Sequence, residues 1–170
     1  MNTSSIKRPI FTIDWNLVVM VVLGFWLSAS FLLDAVIVPV LFSTGMMADT
    51  GFISAGYVLF GVFNRLELVC AAIILTAFFI FRTQNNFGDR RGLNALVIAS
   101  VLLNIALAYT YVLTPQISGW GLEMETITVP PTMPQPMIWL HACYWVLELT
   151  KFALGLTLWR WCYKKNCAIA

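Results

Sequence analysis

Apolar residues gather into four long runs along the chain, and polar residues into the stretches between them. The first run, "WNLVVMVVLGFWLSASFLL", carries no charge from 15 to 33 and continues past Asp34 to about 42. The second extends over about 52–81, the third over 93–114 and the fourth over 137–161. Each reaches the roughly 20 residues that a helix needs to cross a hydrocarbon core. The pattern predicts one domain, residues 1–170, folded as an all-α integral membrane four-helix bundle.

The polar stretches orient those helices. Lys7 and Arg8 precede the first run, Arg82, Arg90 and Arg91 separate the second from the third, and Arg160, Lys164 and Lys165 end the fourth. The other two connections, "STGMMADTG" and "QISGWGLEMETITVPPTMPQP", contain neither lysine nor arginine. Lysine and arginine collect on the cytoplasmic side of membrane proteins, so both termini are expected there. The opening "MNTSSIKRPIFTID" lacks a small-residue cleavage signature and reads as the lead-in to a retained first helix. Residues 115–136 form the extramembrane loop of this scheme. Its "PPTMPQP" resists helix, and Trp120, Ile127 and Val129 give it the means to pack as a cap over the bundle end.

Within the apolar runs a few polar residues stand out. "GVFNRLELVC" places Asn64, Arg65 and Glu67 near the middle of the second run, and Glu148 and Lys151 occupy the middle of the fourth. Ionisable groups at such depth cost about 2.5–3.5 kcal/mol each on translocon scales, which turns them inward and into pairs. Counted from the outer ends, Arg65 matches Glu148 in depth and Glu67 matches Lys151, giving two pairs with no net charge. Arg65 and Glu67, only two positions apart, face opposite sides of their helix. Pairs that fix helix register are the plainer reading, ahead of an ion or proton path.

A second polar set lies nearer the outer end. Asp34 and His141 share a depth and are expected to meet within hydrogen-bonding reach, directly or through one water. Asn104 and Tyr111 add to a seam that runs from the outer surface to mid-membrane. His141 is the one histidine. Alone it cannot supply both axial ligands of a b-type haem, although it suits a chlorophyll magnesium or one position of a copper site; a hydrogen bond to a neighbour is the commoner role. Met46, Met47, Met124, Met133 and Met137 flank the outer connections without close methionine spacing, which argues against Cu(I).

Composition narrows the choice further. The chain is 60% apolar and 11% charged, against about a quarter charged in soluble domains. A net charge of +2 without an aromatic-interleaved basic run excludes a nucleic-acid partner. Cys70 and Cys143 read as small apolar residues. Cys162 and Cys167, in "CYKKNC", lack zinc spacing and a nearby histidine. No nucleophile–base set or phosphate loop appears, so an enzyme is not expected.

Three stretches carry a resemblance: "VPVLFSTGMMADTGFISAGYVLFGVFNRLEL", "YTYVLTPQI" and "MIWLHACYWVLELTKFALGL". Pro39, Leu41, Phe42, Tyr111, Pro115, Leu140 and His141 make the chain similar to the four-helix membrane family called domain of unknown function 4149, related to human transmembrane protein 205. The resemblance implies a four-helix bundle and no established activity. The expectation is an accessory subunit or assembly factor, with the lipid bilayer and larger integral membrane proteins as partners. The alternatives are a small transporter or proton- or ion-conducting protein using the polar seam, and a binder of pigment, haem or copper through His141. A bacterial inner membrane or a thylakoid is the expected location.

Overall fold

The computed structural model describes residues 14–44, 51–84, 89–125 and 135–167, and these are helical almost throughout. Helix α1 (Trp15–Leu32) begins where the Asp14 carboxylate accepts from the amides of Asn16 and Leu17, at 3.0 and 3.3 Å. It runs through a π-helical turn, Leu33–Ile37, into α2 (Val38–Ser43). Helix α3 (Phe52–Thr83) starts at Gly51, whose φ of 94° lies in the left-handed region that favours glycine. Helix α4 (Asp89–Ala108) leads through a second π-helical turn, Tyr109–Leu113, into α5 (Thr114–Glu125). Helix α6 (Gln135–Cys167) closes the described chain.

The two π-helical turns share a cause. In each, the last amide before a proline reaches back five residues: Val38 to the Leu33 carbonyl, Thr114 to that of Tyr109. Pro39 and Pro115 follow at once, with no amide hydrogen and a ring that collides with the carbonyl four residues earlier. The widened turn relieves that collision and lets the helix continue. The third helical rod therefore does not stop before Pro115 as its sequence predicts. Residues 115–125 are helix, not loop, and Ile117 packs against a core cluster. Ile127, Val129, Lys7, Arg8, Met46, Met47 and Met133 lie outside the described residues, as do the side chains of Met124, Lys165 and Cys167.

Among the described residues, three helical stretches are long and apolar enough to cross a membrane: Trp15–Ser43, Ser54–Thr83 and Arg90–Gly121. Helix α6 is as long but is not among them, since His141, Glu148 and Lys151 lower its hydropathy. The α1–α2 rod packs on α3 and α6, and the α4–α5 rod packs on the same two. Helices α3 and α6 occupy opposite corners, with no close backbone approach among the described residues. Asn16 meets Cys162, Ser30 meets Lys151 and Asp34 meets Tyr144, so the first rod and α6 are antiparallel.

Two apolar clusters fill the interior. The larger, which includes Leu23, Ile74, Phe78, Leu102 and Leu158, occupies the half toward Arg82, Arg90 and Arg160, the basic end. The smaller surrounds Ile105, Tyr109 and Leu113 in the opposite half. Between the two lies a polar centre.

Candidate functional site

The polar centre is assembled from side chains at the middle of all four rods. Midpoints fall at residue 29 of the first rod, between 67 and 68 of α3, at 107 of the α4–α5 rod and at 151 of α6. The nearest buried polar side chains to these points are Ser30, Glu67, Tyr109 and Lys151, each within 2% of complete burial. Lys151, on α6, reaches across the diagonal and sets its Nζ 2.5 Å from Glu67 Oε1. The same Nζ lies 2.8 Å from Glu148 Oε1, one turn away on its own helix. It also donates to Ser30 Oγ at 2.9 Å. The rings of Trp26 and Tyr109 flank it, at 5.9 and 5.4 Å from their centres. A buried ammonium with two carboxylates and two aromatic faces is well compensated for its lost water.

Each carboxylate is held in turn. Glu67 Oε1 accepts from Trp26 Nε1 at 2.8 Å and from the Ser30 hydroxyl at 3.2 Å. Glu148 Oε2 accepts from the Tyr109 hydroxyl at 2.9 Å. Asp34, lifted into the interior by the first π-helical turn, accepts from the Tyr144 hydroxyl at 2.8 Å and interacts with Glu148. The Tyr109 and Tyr144 rings lie 5.0 Å apart. One connected network thus runs from Glu67 through Lys151 and Glu148 toward Asp34. It contains three acids and one base. Asp34 Oδ2 is buried and accepts no hydrogen bond, whereas Glu148 Oε1 faces the Lys151 ammonium.

The sequence-derived pairs are half right. Glu67 and Lys151 pair, but Arg65 does not pair with Glu148. Arg65 is exposed and joins no ion pair among the described residues. Its position two residues from Glu67 turns it away from the centre, and Lys151 serves Glu148 from the same helix. The balanced charge count is overturned with it.

The outer seam also divides. His141 is half-buried, and its Nδ1 lies 2.9 Å from the Met137 carbonyl, so the hydrogen bond expected with Asp34 is replaced by one within α6. Tyr144, three residues deeper and longer in reach, takes Asp34 instead. Asn104 is exposed and donates to the Ser100 carbonyl of its own helix, at 2.8 Å. Tyr111 is 70% exposed. Asn64 is buried and donates to Thr114 Oγ1 at 2.7 Å, tying α3 to the start of α5. No group of three or more His, Cys, Asp or Glu residues that could hold a metal ion occurs among the described residues.

Trp26, Ser30, Tyr109 and Tyr144 belong to the site without having been picked from the sequence. A signal was present: Trp26, Ser30 and Asp34 recur every four residues, and Tyr144, Glu148 and Lys151 follow the same helical spacing. Comparison with protein-family models, curated proteins and solved structures finds no match to this chain.

Proposed function

We propose that the protein is a small four-span membrane protein, both termini cytoplasmic, that serves as an accessory subunit or assembly factor for a larger membrane protein. The observation that carries this reading is the dead end of the polar network. It extends from the centre toward Asp34 on one side only. Leu23, Ile74, Phe78, Leu102 and Leu158 pack the interior toward the basic end. A conductor requires polar groups or water across both halves, whereas a central ionic lock with one apolar half suits a rigid scaffold. Large apolar side chains such as Phe31, Val58, Trp139 and Leu149 cover its outside and suit lipid or the helices of a partner.

The test is a mild-detergent pull-down from the native membrane, with the bound proteins identified by mass spectrometry. A single partner in fixed proportion is the expected result. Recovery of the protein alone, from membranes crosslinked beforehand, would remove the reading.

A proton-active protein is the second reading, favoured by the buried Asp34 Oδ2, which accepts no hydrogen bond, and by the interaction of Asp34 with Glu148. One proton held between these carboxyls would satisfy both. Infrared difference spectra should then show a protonated carboxyl band that disappears in both Asp34→Asn and Glu148→Gln.

A further inference from the structure

Arg65 is the ionisable group of the four central ones that the bundle leaves outside its network. It lies on an exposed face of α3, in a groove of about 200 Å³ between α3 and the junction of the α4–α5 rod. Tyr57, Gly61 and Arg65 line one wall, and Thr110, Thr114 and Pro115 line the other. We propose that this groove holds the anionic headgroup of a membrane lipid, with Arg65 as its counter-ion.

The geometry points outward along the groove. Helical side chains tilt toward the N-terminus of their helix, and α3 begins at the end away from the basic residues. Arg65 therefore leans toward Tyr57, two turns away and about 12 Å along the axis. Gly61 lies between them, one turn from Arg65. A methyl group built at Gly61 would meet nothing within 4 Å, so the space above Arg65 is open. Tyr57 is half-exposed, and half-exposed tyrosine marks the membrane–water interface. Starting about 4 Å from the mid-depth of α3, a guanidinium extended along this line reaches roughly 10 Å toward the outer surface, so a headgroup enters the groove by about 5 Å to meet it.

The opposite wall supplies a hydroxyl. Thr114 Oγ1 accepts from Asn64 Nδ2, which leaves its own hydrogen available to an anion. Arginine matches phosphate or sulfonate oxygens with two parallel N–H groups. The groove admits a headgroup, whereas a helix about 10 Å across does not enter it.

The test is native mass spectrometry of the delipidated full chain titrated with phosphatidylglycerol in detergent. One lipid should be retained per protein, in preference to phosphatidylcholine. Arg65→Gln should weaken retention at least tenfold, with Arg65→Lys between the two. Gly61→Phe, which fills the groove and leaves the charge, should also weaken it. Unchanged melting temperatures identify these as binding effects, and the central network provides no reason for them to change. Equal retention by the wild type and Arg65→Gln would overturn the proposal. Displacement of the lipid by millimolar inorganic phosphate would overturn the lipid assignment. So would retention of a leucine-rich helical peptide bearing one glutamate where phosphatidylglycerol is not retained.

Discussion

With its ammonium between Glu67 and Glu148, Lys151 neutralises charge from its own helix and from the one diagonally opposite. Removing it leaves three acids without a base, whereas Glu148→Gln leaves the Glu67 pair intact and keeps an acceptor for Tyr109. Lys151→Met should therefore cost about 3–5 kcal/mol, and Glu148→Gln about 1–2. Arg65→Gln should cost less than about 1, since no partner is lost. Melting in one detergent ranks the three, and a larger loss for Glu148→Gln than for Lys151→Met would refute this account of the centre. Depth along each helix was legible in the sequence, which is why Glu67 and Lys151 were matched. Direction around the helix was not. Arg65 and Glu148 share a depth, yet each residue turns a helix by about 100°, and a depth count carries no such angle. The same holds for His141 and Asp34: the ring bonds the Met137 carbonyl of its own helix, and it is the Tyr144 hydroxyl that donates to Asp34.

At the scale of helices, the close approach of α1 and α6 depends on Gly155. A Cβ there would stand 2.9 Å from Leu27 Cδ2 and 3.2 Å from Cδ1, and Leu27 is buried. Gly155→Ala gains about 1 kcal/mol of helix propensity but incurs about 1–3 of overpacking. A net loss near 1 kcal/mol is expected. In a Leu27→Ala background the clash is gone, and the same substitution should stabilise. Equal effects in both backgrounds, read from melting curves, would rule out the contact. The apolar runs disclosed the helices themselves. Their ends were less visible, because Pro39 and Pro115 look like terminators until the π-helical turns that accommodate them are seen.

For the molecule as a whole, the proposed topology has a direct check in cysteine-free spheroplasts. Gln135→Cys, at the start of α6, should react with an impermeant thiol reagent, and Thr83→Cys only after permeabilisation. The reverse pattern would invert the orientation. The diagonal Lys151–Glu67 bridge has a further consequence, for biosynthesis. In that topology helix α6 is made after the other three rods, and it brings an acid and a base to the centre of the bilayer with less hydropathy than they have. The translocon charges about 2.5–3.5 kcal/mol for a central lysine. The partners that offset this, Trp26, Ser30 and Glu67, are already in the bilayer when α6 emerges. Tested as an isolated segment, residues 135–167 should insert incompletely by a glycosylation assay, and Lys151→Leu should complete the insertion. In the full chain, Glu67→Leu should reduce α6 insertion although it lies two rods upstream. The order of synthesis thus allows earlier helices to act as the solvent for the last one.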